Sequence, residues 1–485
     1  MNTATALPDR ALRPYQLEGV RWLVHRLTHG GERCVLLCDD PGLGKSRQVL
    51  AARGEIGAKR TLIVCPTGIR HVWANEIRKW FPELSPHVVL VEPGITVTGM
   101  REQLDHPEAI VIVGYDTLSA FQGGWAANLM RRAWDLLVVD EAHYLKNPSR
   151  RTEMVYGKRG TESGLQHVCQ WIILLTGTPT PNHAGELYQH LRTFWPGTLT
   201  VARPDGLAHV ETEAEFQERY TEYKTTPWGR QVTGSNRVNL GQLRDKMKTR
   251  VLRRRKREVL PELPPLVAQD VALDVNVQDQ ALIRTEAERR IQARLASVMT
   301  PQERRDLLTD PAMGISLATI RRQLGEIKIN AAVAWIDERL ACGVNKMLVF
   351  GWHVDVLHRL HRLLAAFDPV IITGETSPVG RRSAEHLFQN RPTVRVLVGQ
   401  ILACGTGITL TAASEVAILE PSWVPGQNSQ AIDRAHRLGQ HDSVLASFLY
   451  VPDTLDETIM RAFRRKAEEV SQIHDYTGGE ARYAS

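Results

Sequence analysis

The sequence predicts an α/β protein with two similar, mainly parallel sheets in tandem, and three observations predict it. Strand-length apolar runs alternate with helical stretches in the first half, a second alternating series follows a proline-rich break, and a glycine-lysine loop appears only in the first. Such alternation puts consecutive strands parallel, with helices covering both faces. At 485 residues the chain is too long for one core and long enough for two or three domains.

The first half opens with Leu12-Arg13-Pro14-Tyr15-Gln16-Leu17-Glu18-Gly19-Val20-Arg21-Trp22-Leu23, apolar at helical spacing after a proline, so a helix is expected there. Strand candidates follow at residues 34–38, 61–65, 88–91, 109–115, 136–140 and 171–176. They give a first lobe over residues 1–200. From about residue 185 to 256 the chain is polar, helical in pattern and short of strands, which places a helical insertion over residues 201–258. Residues 244–257 hold nine basic residues and one acid. A solvated face or a localisation signal stands there beside phosphate contact or acid-pairing at a domain junction, and the residues leave these open.

Leu260-Pro261-Glu262-Leu263-Pro264-Pro265 removes helix and stiffens the backbone, so the connector falls at residues 259–266. Helical stretches at 279–299 and 315–342 form a protrusion over residues 267–345. Strand candidates at 347–350, 370–373, 394–398, 416–419 and 446–451 then build a second lobe over residues 346–470, with a tail at 471–485.

The chemistry is concentrated in Cys34-Val-Leu-Leu-Cys-Asp-Asp-Pro-Gly-Leu-Gly-Lys-Ser46. Gly42 and Gly44, with Leu43 between them, let the backbone turn tightly and aim its N–H groups at an anion. Lys45 adds a point charge for the β- and γ-phosphates, and Ser46 can ligate Mg²⁺ at the start of a helix. Asp39 stands where a full phosphate loop has glycine. The plainer reading is an ordinary strand-to-helix turn with a solvated lysine. Against it stands a second element in the right order, Asp140-Glu141-Ala142-His143 at the end of a strand. Asp140 can hold Mg²⁺, and Glu141 can orient or deprotonate water. In the second half Gln430, Arg434 and Arg437 recur at i, i+4 and i+7, so a helix would present all three together, with two guanidinium groups able to reach a γ-phosphate. The alternative is a pair of surface arginines bound to acids such as Asp433.

Composition narrows the class. A net charge of +6 and a pI near 9.0 are compatible with a polyanionic partner without demanding one. Six cysteines without a C-x-x-C pair indicate neither a zinc ribbon nor a disulfide framework, which favours a reducing compartment. Residues 1–9 lack the features of a signal peptide, and no apolar run approaches the ~18 residues of a membrane span. A soluble, intracellular protein is expected.

Taken in order, these residues resemble the Swi/Snf-type ATPases of the second helicase superfamily over nearly the whole chain. Leu12 to Gln16 is similar to the family's opening motif, and Asp39 to Ser46 to its D-E-x-G-L-G-K-[ST] loop. Pro66-Thr67 with Trp73, Glu76, Lys79 and Trp80 resembles the next block, Asp140 to His143 the D-E-A-H box, and Leu175 to Pro179 with Asn182 the T-G-T-P motif. Gly374, Arg381, Phe388, Gly405-Thr406-Gly407-Ile408-Thr409-Leu410 and Gln430 to Gln440 carry the likeness through the second half. Trp228-Gly229, Gly234-Ser235-Asn236 and Arg253 to Leu260 are similar to the fork-remodelling, strand-annealing subgroup. Asp40, Pro41 and Cys404 depart from the pattern.

The resemblance implies two RecA-like lobes with helical insertions, ATP and Mg²⁺ as cofactors, and double-stranded or forked DNA contacted through its backbone. It implies that Gln16 reads adenine, that Gly407 and Gln430 join the nucleotide site, and that Arg434 and Arg437 act on lobe closure. Thr67, Thr373, Gly374 and the Cys404-Gly405-Thr406 loop would contact DNA phosphates, and Trp423 is a core or DNA-abutting residue. The function expected is an ATP-dependent DNA translocase working as a monomer. It would be cytoplasmic and nucleoid-associated in a prokaryotic or viral setting, or nuclear in a eukaryote. A strand-separating DNA or RNA helicase and a nucleotide-gated DNA-binding scaffold are the rival readings.

Overall fold

A computed structural model describes residues 11–92, 94–120, 124–158, 160–177, 183–202, 207–226, 229–275, 311–405, 407–422, 424–454, 456–457 and 460. The chain divides into two compact units. The first comprises Met1–Pro179, Glu186–Glu213 and Gln242–Val259, and the second Thr180–Gly185, Ala214–Gly241 and Leu260–Ser485.

In the first unit, strands β1 (Cys34–Leu37), β2 (Thr61–Cys65), β3 (Val88–Leu90), β4 (Ile110–Gly114), β5 (Trp134–Asp140) and β6 (Cys169–Leu175) form one parallel sheet. Every residue of β1, β2 and β4 is buried, as a sheet covered on both faces requires. Helices α1 (Pro14–Thr28), α2 (Lys45–Glu55) and α3 (Arg70–Trp80) supply Val20, Leu23, Val49, Leu50, Trp73 and Ile77 to the core on one face. Because the strands are parallel, the loops after β1, β2, β5 and β6 all open along one edge, where such sheets present their ligand groups.

The sheet is wider than expected. Strand β11 (Val251–Leu252) extends it beside β1, giving the order β11-β1-β6-β5-β2-β4-β3. The segment read as a helical insertion therefore contributes an edge strand. It also carries two antiparallel hairpins, β7 (Thr200–Ala202) with β8 (Ala208–Val210) and β9 (Thr221–Thr226) with β10 (Gly229–Ser235). The first hairpin belongs to the first unit and the second to the second unit. Their strands are short or polar, so no apolar run announces them.

In the second unit, strands β12 (Leu266–Ala272), β13 (Met347–Gly351), β14 (Val370–Ile372), β15 (Val396–Gln400), β16 (Glu415–Ile418) and β17 (Val444–Tyr450) form another parallel sheet, ordered β12-β17-β16-β13-β15-β14. Its two faces bury separate cores, one around Phe350, Phe388 and Leu397, the other around Ile336, Val349 and Leu357. β12 corrects the sequence reading, which ran the connector through Leu266 and gave the following residues to a helical protrusion. The helix Pro311–Ala341 matches the second helical expectation, while the first, at 279–299, lies outside the described residues, as do the tail at 471–485, Trp228 and Trp423. Among the described residues no helix is long and apolar enough to cross a membrane.

Candidate active site

The loop after β1 turns twice through left-handed backbone, at Gly42 (φ 90°) and Gly44 (φ 73°), before α2 begins at Lys45. A Cβ at Gly44 would lie 2.5 Å from Gln16 Nε2, so glycine is required there by space as well as by φ. Gln16 is buried. Its amide donates to Leu43 O at 3.2 Å, and its carbonyl oxygen accepts from the Arg13 N–H at 3.1 Å, which seats α1 against the loop. Leu43 is fully buried beneath the turn, and Ser46 is half-buried in the first turn of α2. Lys45 Nζ folds over the loop and donates to the backbone oxygens of Asp39 (2.6 Å) and Asp40 (3.4 Å).

The carboxylates lie at the end of β5. Asp140 Oδ2 accepts from Trp73 Nε1 at 2.7 Å, its Oδ1 accepts from the Glu141 N–H at 2.9 Å, and Tyr115 donates to its backbone oxygen at 2.7 Å. Burial raises the Asp140 carboxyl to about 6, the Glu141 charge adds to the rise, and the Trp73 hydrogen bond and the Lys45 charge oppose it. Glu141 sits in left-handed backbone (φ 50°) with Oε2 3.2 Å from His143 Nδ1, and that nitrogen is 3.0 Å from Thr176 Oγ1. The chain after β6 closes the ring of contacts, since a Cβ on Gly177 would meet Pro41 Cγ at 2.9 Å. Pro41, a departure from the family pattern, is thus accommodated by a glycine. Thr178, Pro179 and Asn182 of that motif lie outside the described residues.

The residues suit a nucleotide triphosphate and a divalent ion. Gly42 and Gly44 turn the loop through left-handed backbone, an ammonium group folds onto its carbonyl oxygens, and a half-buried acid pair stands on the same edge of the sheet. Lys45 and the carboxylates share one edge, close enough for the lysine's charge to act on Asp140. Ser46, in the first turn of α2, and Asp140, at the end of β5, are the two residues from which the sequence reading expects Mg²⁺ ligands.

In the second unit, the expected helix through Gln430, Arg434 and Arg437 is cut short. The helix Pro425–Ile432 ends before either arginine. Arg434 Nε takes Gln430 O at 2.9 Å, an oxygen that its own N–H would claim in a continued helix, and that N–H turns to Ala431 O instead. Arg437 Nε likewise takes Asp433 O at 3.1 Å. The two guanidinium groups still converge, because both donate to Ile408 O, at 3.4 Å and 3.2 Å, and Arg437 also donates to Thr409 Oγ1 at 3.0 Å. Gly407 (φ 80°) starts this loop and is exposed.

The expected DNA contacts are distributed unevenly. Thr67 is half-buried and donates to Asp116 Oδ2 at 2.9 Å, a carboxylate also held by Arg151. Thr373, Cys404 and Gly405 are buried, with Arg381 donating to Thr373 O and Ala403 O at 3.3 Å each. Burial also pushes the Cys404 thiol up to about 12, so it is an inert packing group. Gly374 is exposed, and its N–H donates to Gln400 Oε1 at 2.8 Å. Side-chain contact by Thr373 or Cys404 is therefore not what this edge presents; Thr406 lies outside the described residues. Sequence reasoning gave no role to Trp73, Tyr115 or Gln400. Only the likeness of the Trp73 block to the family pattern signalled any of them.

Two family models match the chain in succession. The family model described as the SNF2-related domain matches residues 15–312, and that of the helicase conserved C-terminal domain matches residues 333–439. The SWI/SNF-related matrix-associated actin-dependent regulator of chromatin subfamily A-like protein 1 of Xenopus tropicalis is 29% identical over 468 residues, covering 95% of this chain and 45% of its own. The human DNA annealing helicase and endonuclease ZRANB3 is 29% identical over 479 residues, covering 96% of this chain and 41% of its own. This chain thus spans less than half the length of either relative. Among solved structures, the Sulfolobus solfataricus SWI2/SNF2 ATPase core in complex with dsDNA aligns with 96% of this chain and 95% of its own, at 22% identity and a TM-score of 0.43.

Proposed function

The chain belongs to the SNF2-related family of ATP-hydrolysing enzymes, and from that premise we propose that it is an ATP-dependent translocase or remodeller acting on duplex or forked DNA. The observation that carries the ATPase part is that the Lys45 loop after β1 and the Asp140–Glu141 pair at the end of β5 open on one edge of the first parallel sheet. For DNA the support is the relatives, one of which is named a DNA annealing helicase.

The proposed roles draw on the geometry of the first unit and, for the second unit and DNA, on the family resemblance. The loop N–H groups and Lys45 bind the β- and γ-phosphates, the lysine exchanging loop carbonyls for phosphate oxygens. Mg²⁺, when bound at Ser46 and Asp140, supplies charge neutralisation on those oxygens. Trp73 and the Glu141 N–H hold both Asp140 oxygens in place. Glu141, beside His143, orients the attacking water and accepts its proton. Arg434 and Arg437 stabilise the charge that develops on the transferring group, and the Gly374 edge and Thr67 meet DNA phosphates, which carries no sequence readout.

The test is ATPase activity with duplex DNA, single strands and RNA, set beside triplex displacement and fork unwinding. Duplex-stimulated turnover with triplex displacement is expected. Turnover only with single strands or RNA indicates a strand-separating helicase, and DNA binding without turnover indicates a scaffold; either outcome would sink the proposal.

A further inference from the structure

The basic run at residues 244–257 has acidic partners inside the first unit. β1 and β11 are parallel neighbours, so their carboxyl ends open together and the ladder continues beyond both strands. Cys38 N–H donates to Leu252 O at 2.7 Å, and Asp40 N–H to Arg254 O at 3.1 Å. Side chains then lock the same two loops. The backbone N–H of Arg254 donates to Asp39 Oδ1 at 3.1 Å, its Nε to the same oxygen at 3.0 Å, and its Nη2 to Asp39 Oδ2 and to Gln48 Oε1, the latter at 2.7 Å. Its Nη1 donates to Tyr15 O, and the guanidinium lies 5.6 Å from the Tyr15 ring centroid. Gln48 Nε2 donates to Asp39 Oδ2 at 3.1 Å and to Leu43 O at 3.3 Å. The Lys256 N–H donates to Asp40 Oδ2 at 3.1 Å.

Asp39 is fully buried and Arg254 only 7% exposed. A carboxylate there requires a planar, two-pronged cation, because a buried charge that loses its partner is strongly unfavourable. Asp39 is also the first residue of the phosphate loop, and Lys45 Nζ rests on its backbone oxygen. Whatever fixes Asp39 fixes the floor of the cradle.

We propose that Arg254 is a positioning residue for nucleotide phosphates, setting the phosphate loop through Asp39 and tying it to the segment by which the chain leaves the first unit at Val259. This rests on the ATP-binding reading of the loop. A mere pin on the sheet edge would lower thermal stability and leave the affinity of the folded protein for ATP untouched. A positioning role moves KM apart from kcat, since a displaced loop binds phosphate poorly while saturating ATP restores the bound arrangement.

The test uses the full chain and the fluorescent analogue mant-ATP, with Arg254→Lys, Arg254→Ala and Lys45→Ala variants. Both Arg254 variants are expected to raise the mant-ATP Kd and the ATP KM by about tenfold or more, with kcat at saturation within about threefold of the wild type. Millimolar guanidinium ion should restore affinity to Arg254→Ala and leave Arg254→Lys unchanged. In the unmodified protein, mant-ATP should slow hydrogen exchange at the Arg254 and Lys256 amides, a measurement that decides the matter even where a variant fails to fold. Wild-type affinity in both Arg254 variants, or unchanged exchange at those amides, overturns the inference alone, provided that Lys45→Ala abolishes binding. Failure of the unmodified protein to bind mant-ATP overturns the ATP reading and this inference together.

Discussion

Trp73 Nε1 donates to Asp140 Oδ2 at 2.7 Å, so an indole from α3 holds the carboxylate at the end of β5. Trp73 is 2% exposed and packs in the core, which fixes its ring and hence the donor's direction. Trp73→Phe keeps an aromatic ring and removes the donor. Groups that orient a metal-binding carboxylate typically matter by ~10–100-fold, so the Mg²⁺ concentration for half-maximal ATPase activity should rise by about tenfold. A Mg²⁺ titration of turnover checks this, and an unchanged midpoint with lowered stability would reduce Trp73 to a packing residue.

Lys45→Ala and Arg434→Ala should separate binding from turnover. The lysine Nζ closes the phosphate cradle over Asp39 O, so its loss should abolish both ATP binding and hydrolysis. Arg434 is anchored to Gln430 O and Ile408 O in the second unit. Its removal should leave ATP binding near wild type while DNA-stimulated turnover drops by roughly 10³-fold, the scale of an arginine acting on transferring phosphate. Equilibrium binding and stimulated ATPase assays on both variants suffice, and retained turnover in both contradicts the site assignment.

Long buried strands were the legible part of this fold. β2 was read to the residue, and the other central strands were found within about two residues, because a parallel sheet covered on both faces leaves unbroken apolar runs such as Ile110 to Val113. β11 has only two residues and β12 is largely exposed, so neither carries such a run. The nucleotide residues were legible as motifs, since glycine, lysine and acid chemistry is local. What joins Arg254 to Asp39 was not, because the pairing spans 215 positions and a single sequence holds no through-space record of it. The helix through Arg434 failed for a related reason: spacing shows which residues share a face, and cannot show that a guanidinium will take the carbonyl the helix needs.

Glu420 gives the second unit an acid-sensitive joint. Its carboxylate, 4% exposed, accepts from the Trp352 and His353 N–H groups at 3.0 Å each and lies 2.7 Å from His353 Nδ1. Burial alone would raise this carboxyl, but the hydrogen bonds and charge of His353, with Lys328 beyond, hold it below its ordinary value of 4.5. A depressed folded-state value means that stability is present above the unfolded value and is lost as pH falls through the folded one. Thermal stability of the wild type should therefore decline, as pH falls below the ordinary value of 4.5, more steeply than that of Glu420→Gln, which has no proton to gain. Parallel pH slopes for the two would assign the acid sensitivity elsewhere.

Gly19 offers a test in which local propensity and tertiary packing oppose each other. It lies inside α1, where alanine is favoured over glycine by about 1 kcal/mol, so Gly19→Ala should stabilise an isolated helix. In the folded unit the added Cβ would fall 2.0 Å from Gln48 Oε1 and 2.6 Å from Arg254 Nη2, which are hydrogen-bonded to each other at the ends of the two side chains that donate to Asp39. Neither can retreat without surrendering a buried charge-assisted hydrogen bond. The packing conflict should win, with a net loss of about 1–3 kcal/mol. The same displacement should raise the ATP KM while leaving Lys45 and both carboxylates chemically intact. Denaturant unfolding and steady-state kinetics on this one variant check both halves: a stabilised protein with unchanged KM would show that α1 slides freely over the loop and that Arg254 does not set it.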